Sequence, residues 1–420
     1  MELSHVNATL PLRLFEGYGV ELEYMIVDAK TLSILPVADE LLKAVAGEYV
    51  SDVEFGDLAW SNELVCHVIE FKTLEPARSL NGLVGRFNQQ VAQANRLLAP
   101  LGGRLMPTGM HPWMDPNRET RLWPHDCSVV YDAFNRIFGC KGHGWSNLQS
   151  LHINLPFADD DEFGRLHAAI RLLLPILPAL AAASPILDGR LTGVLDNRLE
   201  VYRNNSRLIP SVAGKIIPER AFTRQEYETH ILQRIYRDIA SHDPEGILQH
   251  EWLNARGAIA RFERNSIEIR LLDVQECPLA DLAVYSAIVA VLKAMIREKW
   301  VDWERQKTWS EEELEPIFLT CIRDAEQTLI RNPRYLELFG LRCQHGCLAV
   351  DLWSHLVESV FPGTDSESAE WRKPLEIILR EGPLARRILR ALGGDTSPTQ
   401  LGKIYEKLCE CLGTGRMFRA

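Results

Sequence analysis

The chain has 420 residues, with 46 Lys and Arg against 57 Asp and Glu, a formal charge of −11 with the histidines neutral. A grip on a nucleic-acid backbone needs clustered cations that release counterions, and the absence of any basic run argues against such a partner. With 46% hydrophobic and 25% charged residues the composition is globular, which excludes disordered and fibrous classes and leaves room for one large domain or two.

The stretch Met1 to Gly19 has no positive region followed by a long apolar core, so it does not read as a signal peptide, and a cytoplasmic location is expected. Nine scattered cysteines, an odd number, fit free thiols in a reducing compartment better than a disulfide framework. The longest apolar run, Ala168 to Leu187, carries Arg171, Pro175, Pro178 and Pro185, which suits a buried helix and predicts no membrane segment.

Periodicity predicts strands at Gly19–Val27, Leu64–Thr73, Arg104–Thr108 and Leu148–Pro156, and a hairpin over Ala258–Leu272. Helical patterns run over Ala77–Leu98, Asp161–Ala183, Thr223–Ala240, Leu279–Trp300, Glu311–Arg331 and Pro374–Leu392. The stretch Phe361–Ala369, rich in Gly, Ser and acidic residues, reads as an exposed loop. With strands concentrated before about Asp273 and helix after, the economical reading is an α+β fold with a helical C-terminal part.

Three of these strands place polar groups on one face. In Val20-Glu21-Leu22-Glu23-Tyr24 side chains alternate, so Glu21 and Glu23 point the same way and, in a concave site, need a cation or a proton between them. Hard oxygen ligands of this kind suit Mg²⁺. His152 and Asn154 share a face of Leu151–Leu155, and Glu268 and Arg270 share a face of Ser266–Leu271. A solvated sheet face or a surface ion pair accounts for any one of these strands, but three together, covered by helices on their apolar side, would collect a mixed acidic and basic surface suited to metal and phosphate. Glu63 and Glu70 are seven residues apart, hence on opposite faces of one straight strand, so both reach that surface only through a bend, a bulge or a preceding loop. Between Ser184 and Ile217 a long loop offers Arg198, Arg203, Asn204, Asn205, Arg207 and Lys215, either a solvated surface or an anion-binding segment. Cys343-Gln344-His345-Gly346-Cys347, with Cys409 and Cys411, lacks the Cys-x-x-Cys pairs usual for zinc and reads as buried thiols near helix ends.

In order along the chain, Gly19–Tyr24, Glu63 with Glu70-Phe71-Lys72-Thr73, Thr108–Pro112, Gln149–Asn154, Ala182–Pro185 through Arg198 and Arg203, and Ser266–Asp273 resemble glutamate–cysteine ligase family 2, the carboxylate–amine ligases related to glutamine synthetase. The resemblance implies a curved, mostly antiparallel sheet with helices on its convex face and a concave face that holds ATP and two or three Mg²⁺ (or Mn²⁺) ions. It implies Glu21, Glu23, Glu63, Glu70, His152 and Glu268 as metal ligands, and so places Glu63 and Glu70 both in the site. Arg270 matches a position that contacts the transferred phosphate, with Glu268 beside it as the second catalytic residue. Arg198 and Arg203 match the loop that holds the acidic substrate and phosphates, and Asn154 joins the ATP- and substrate-binding set. His111, before a proline, reads equally as structural.

The activity implied by the resemblance is amide formation through an acyl phosphate, with glutamate and cysteine or another amine as small-molecule partners. None of the nine cysteines is a nucleophile in that scheme. A phosphotransferase of the same superfamily and a non-catalytic nucleotide-binding protein are the alternatives. The resemblance covers roughly residues 1–300, which divides the chain into a catalytic core, 1–300, and a helical region, 301–420, packed on it. Asn62 and Glu63 stand where related proteins more often show an aspartate-containing segment, which leaves the amine open. So is the oligomeric state: an apolar helix face serves inside the chain or against a second copy in a homo-oligomer.

Overall fold

The computed structural model describes residues 11–361 and 366–420, with side chains from 370 onward in the second stretch. Eight strands make the main sheet: β1 Gly19–Asp28, β2 Asp52–Phe55, β3 Leu58–Asn62, β4 Val68–Thr73, β5 Gly103–Met106, β6 Ser150–Pro156, β7 Ala258–Arg261 and β8 Ser266–Asp273. Their order is β2-β3-β4-β1-β6-β8-β7, and every neighbour is antiparallel. β5 pairs with the second half of β1, where Met25 has Val68 of β4 on one side and Met106 on the other.

Alternation sorts the two faces as the sequence predicts. Val20, Leu22, Tyr24 and Ile26 of β1, Ile69 and Phe71 of β4, and Leu151, Ile153 and Leu155 of β6 are all buried in one core. That side is covered by helices, among them α1 Leu83–Leu98, α2 Asp160–Leu173 and α3 Pro278–Ile296. α3 is long and apolar enough to cross a membrane, but it is buried along most of its length and packs against α1, α2 and the helices Ala349–Val360 and Ser366–Glu381. Its Tyr285 hydroxyl donates to the Gly19 carbonyl at 3.2 Å, which ties the helix layer to the start of β1.

On the other face β1 changes character along its length. Glu21 and Glu23 stay with polar neighbours, whereas Met25 and Val27, on the same parity, join Met106 in a second apolar cluster. That cluster is closed by α4 Leu384–Leu392 and α5 Pro398–Thr414 through Leu384, Ile388, Leu401, Ile404, Tyr405 and Leu408. The C-terminal helices thus cap one end of the face that carries the charged groups.

Several expected elements are shorter than their patterns. The strand expected over Leu64–Thr73 begins at Val68, because the chain leaves β3 at Asn62 and turns through Glu63–His67. The helix expected over Asp161–Ala183 ends at Leu173, since Pro175 and Pro178 cannot donate into its ladder, and Pro178–Ala181 restarts as one turn. Ala77–Leu98 starts helical only at Leu83, after Gly82 at φ 77°. Glu311–Arg331 stops at Asp324, before Ala325 at φ 47°, and Pro374–Leu392 is two helices parted at Gly382, φ 84°, and Pro383. Thr223–Ala240 carries a π-helical turn over Glu228–Leu232. The long loop from Ser184 contains the helix Asn197–Tyr202, capped by the Asp196 side chain. Of the loop expected over Phe361–Ala369, residues 362–365 lie outside the described residues and Ser366 onward is helix. β2, β3, the helix Ala38–Ala46 and α5 were not predicted. All nine cysteines are free.

Candidate active site

Pairing register converts the alternation of single strands into a cluster. β1 sets Glu21 opposite His152 of β6 and Lys72 of β4, and Glu23 opposite Glu70. Glu268 of β8 lies opposite Asn154. His152 Nδ1 is 2.6 Å from Glu21 and its Nε2 is 3.7 Å from Glu23, so one imidazole bridges the two carboxylates. Asn154 donates to Glu21 at 3.0 Å, and Ser150 donates its backbone N–H and hydroxyl to Glu23 at 2.7 and 2.8 Å. Glu70 accepts from Ser61 of β3 at 2.6 Å and from Lys72 at 2.8 Å. Glu63 reaches the cluster from the turn between β3 and β4, which is the bend that seven-residue spacing requires.

Among the described residues, two groups have ligand atoms that lie within 4.8 Å of one another: Glu21, Glu70 and His152, and Glu23, Glu63 and Glu70. They share Glu70. Oxygen donors with one imidazole suit Mg²⁺ or Mn²⁺, and the electrostatics point the same way. Burial, then the charges of Glu23 and Glu70, push the Glu63 carboxyl well above its ordinary range. Burial also raises Glu23 against the pull of His152 and Arg198. Burial disfavours a charged His152, but the hydrogen bond to Glu21 and the fields of Glu23, Glu21 and Glu268 outweigh it and raise the imidazole to about 9. An excess of negative charge that holds a proton on His152 is the charge a divalent cation would neutralise.

Glu268 falls in neither group. Its carboxylate accepts from Arg270 Nε at 2.9 Å and lies 3.6 Å from Arg261 of β7, and these cations with His152 outweigh burial and lower its pKa. Arg198, at the start of the helix after Ser184, is almost wholly buried, donates from Nη2 to the Arg270 carbonyl at 3.0 Å, and among the described residues has no hydrogen-bond partner for Nε or Nη1. Arg203 is exposed, pairs with Glu200 at 2.8 Å, and does not line the cavity beside the cluster, so the structure keeps it apart from Arg198.

A bulge in β8 recruits one more carboxylate. Ile269 lies opposite Ile153 but Leu272 opposite Leu151, three residues of β8 against two of β6, which flips the parity and brings Asp273 opposite Ser150 on the polar face. Asp273 accepts from Ser184 Oγ and the Ala183 N–H, both at 2.7 Å, and sits 3.8 Å from Arg198 Nη1. Burial, opposed by Arg198, raises its carboxyl to about 6. A Cβ at position 109 would lie 2.3 Å from the Asp273 carboxyl, so Gly109 is the residue that makes room for it.

The cavity that opens beside the cluster has a volume of about 240 Å³. Glu23, Glu63, His152, Arg198 and Arg270 form its charged side. Tyr131, Phe134, Trp145, Tyr202 and Trp252 form its aromatic side. Sequence reasoning missed Ser61, Lys72, Ser150, Asp273 and this aromatic side. Lys72 and Ser150 stand two residues from Glu70 and His152, so strand alternation held their signal; the aromatic residues come from two helices and two turns, and of them Tyr131 and Phe134, three apart on one helix, share a period. His111, buried with its Nε2 2.8 Å from the Leu32 carbonyl and lowered to about 4 by burial, takes a structural place.

Residues 18–410 match the model of glutamate–cysteine ligase family 2. An uncharacterized protein of Archaeoglobus fulgidus is 32% identical over 401 residues, which covers 95% of this chain and 99% of that one. The fold is similar to that of a bifunctional glutathione synthetase from Pasteurella multocida, with a TM-score of 0.59 at 15% identity; 96% of this chain matches 52% of that one, so it spans about half that length. It is also similar to glutamate–cysteine ligase from Francisella tularensis, solved in complex with AMP, with a TM-score of 0.57 at 15% identity over 94% of this chain and 88% of that one. The chain belongs to glutamate–cysteine ligase family 2, a family of ATP-dependent carboxylate–amine ligases.

Proposed function

We propose that the protein activates the carboxylate of a small acid with ATP and passes the acyl group to an amine, forming an amide, with glutamate the acid that the family name suggests. The observation that carries this reading is the pair of ligand groups joined by Glu70, with Lys72 bonded to Glu70 and Arg270 lining the same cavity as Glu23, Glu63 and His152. Divalent cations held by Glu21, Glu70 and His152 and by Glu23, Glu63 and Glu70 supply neutralisation of phosphate charge. The chain's own residues do the rest. Arg198, which lines the cavity and among the described residues leaves Nε and Nη1 without a hydrogen-bond partner, is the candidate to hold a carboxylate, and Asp273, 3.8 Å from Nη1, fixes where that guanidinium sits. Arg270, held by Glu268, presents positive charge where a phosphoryl group would pass.

In the proposed sequence a carboxylate oxygen attacks the γ-phosphorus and the bond to ADP breaks. The amine nitrogen then attacks the acyl carbon, phosphate departs with the electron pair of its C–O bond, and the nitrogen gives up a proton. No side chain becomes covalently attached, so positioning and electrostatics carry the rate.

The test is phosphate release from ATP with Mg²⁺, glutamate and a panel of amines, with mass spectrometry of the products. Amide appearing in step with phosphate is expected. ADP with a stable phosphorylated product and no amide would replace the ligase with a phosphotransferase.

A further inference from the structure

Besides its ligand groups, the cavity has a wall that the activation chemistry does not use. Phe134 lies with its ring 5.3 Å from that of Trp145 and 5.7 Å from that of Trp252, centroid to centroid, and Trp145 stacks on Phe138 at 5.4 Å. These rings come from three segments outside the main sheet: the helix Ser128–Phe138, the turn His143–Ser146 and the turn Glu251–Leu253. Phe134, Trp145 and Trp252 line the cavity half-buried, with Leu148 and Leu253 beside them. The lining cations and acids, Arg198, Arg270, Glu23 and Glu63, come from the sheet, the turn after β3 and the helix at Arg198, not from the three segments that carry Phe134, Trp145 and Trp252.

The charged side is anchored to this wall at several points, among them Asn205 to the Gly144 carbonyl and His67 to the Ser146 carbonyl. Asn62, next to Glu63, donates to the Tyr131 hydroxyl at 3.1 Å and to the Glu63 carbonyl at 3.1 Å, so the aromatic helix is fixed relative to the acidic turn.

We propose that this wall seats the amine substrate, and that the preferred amine carries a bulky apolar or aromatic body, as an arylalkylamine does, rather than the small polar body of cysteine. The inference rests on the ligase reading and names the acceptor class within it. An aromatic body covers the rings of Phe134, Trp145 and Trp252 and removes apolar surface from water, while its amino group points across the cavity to the charged side that Arg198 and Arg270 also line. Cysteine fits the same place but leaves most of the apolar wall in contact with water. An adenine ring is the rival occupant, since any flat ring stacks well on tryptophan.

The experiment keeps the two readings apart. Hydroxylamine traps an activated acyl group whatever the natural amine is, so hydroxamate formation with ATP, Mg²⁺ and a panel of acids reports the ligase reading alone. Amine choice is then read as kcat/KM for phenethylamine, benzylamine, butylamine, alanine and cysteine with the acid that gives hydroxamate. Phenethylamine is expected to exceed cysteine at least tenfold. Trp252→Ala and Phe134→Ala are expected to raise its KM at least tenfold and to leave hydroxamate formation and the KM for ATP within twofold; Phe134→Leu, which keeps apolar volume, should fall between. Hydroxamate with cysteine preferred over phenethylamine would overturn this proposal and leave the ligase standing. A rise in the KM for ATP with amine choice unchanged would make the wall the seat of the nucleotide base and overturn it as well. Direct binding of phenethylamine by calorimetry, weakened by Trp252→Ala, supports the site even without hydroxamate from any acid, a result that would sink the ligase reading alone; no binding and no turnover of phenethylamine would overturn the site.

Discussion

The two sides of the sheet bury histidines on opposite terms. On the polar side His152 lies among Glu21, Glu23 and Glu268 and is raised to about 9, a charged imidazole held by charged neighbours. On the helix side His167 of α2 is stacked on Phe163, its Nδ1 donating to the Ala221 carbonyl at 2.7 Å, and burial followed by the nearby Arg171 charge lowers it to about 3. Both imidazoles are more than nine-tenths buried, so burial alone does not decide the charge. The neighbours do. Beside Arg171 a buried imidazole stays neutral, whereas the polar side keeps several carboxylates close together and leaves the repulsion for a cation to relieve.

Glu70→Gln tests that contrast most strongly. It removes the carboxylate common to both ligand groups, and kcat is expected to fall by roughly 10²–10³-fold, the loss typical of deleting one strong electrostatic contact to a transition state. Folding should survive, with Tm equal to or above that of the parent without added metal. Added Mg²⁺ should raise Tm in the parent and much less in the variant, since a ligand stabilises only the state that binds it. A variant with parental turnover would dissolve the difference between the two sides. Phe163→Ala is the reverse case. Phe163 is fully buried among Phe157, Phe262, Tyr227 and His167, and truncation should cost about 3–5 kcal/mol of stability in a denaturant melt. Turnover by the fraction that remains folded should stay within twofold of the parent.

How much of this was legible depended on whether a signal was local. Period-two alternation exposed Glu21 with Glu23, His152 with Asn154, and Glu268 with Arg270, and antiparallel pairing was enough to bring them onto one face. Glu63 was out of reach of that rule because the chain turns immediately after Asn62, and the family resemblance placed it instead. Asp273 was missed for a sharper reason: the bulge after Ile269 adds one residue to β8, and alternation read through it assigns Asp273 to the wrong side. The helical patterns over Asp161–Ala183 and Pro374–Leu392 were real, but prolines cut them, and hydrophobic period does not register a break that changes direction without changing composition. The aromatic wall had no signature at all, since Phe134, Trp145 and Trp252 meet only through tertiary packing.

Gly109→Ala probes the seam between the two regions. The added Cβ would collide with the Asp273 carboxyl, which holds Ser184 and the Ala183 N–H and faces Arg198. Displacing Asp273 should let Arg198 drift from the cavity, and the KM for the acid should rise by about tenfold, near 1.4 kcal/mol, more than kcat falls. Asp273→Asn keeps the volume and removes the charge, so a shared KM effect in both variants would assign Asp273 a positioning role. An unchanged KM in both would detach the bulge from substrate binding.

The smallest expected effect comes from the neutral histidines and is read as a slope. His167 is lowered to about 3, and His67 and His111 to about 4, each chiefly by burial. In the unfolded chain each takes a proton near pH 6.5, so in the acid range the unfolded state binds more protons than the native one. Their contribution is therefore fully present above about pH 6.5 and is lost as pH falls toward 4 and 3. Each site adds at most about 1.4 kcal/mol per pH unit to the acid limb of the stability curve. His167→Gln retains a group able to donate to the Ala221 carbonyl and does not titrate. Chemical denaturation between pH 7 and 4 should show its stability falling less steeply than the parent's by up to that slope, whatever the variant's starting stability. Equal slopes would mean that His167 accepts its proton in the folded protein, and the helix side would then bury a charged histidine as the polar side does.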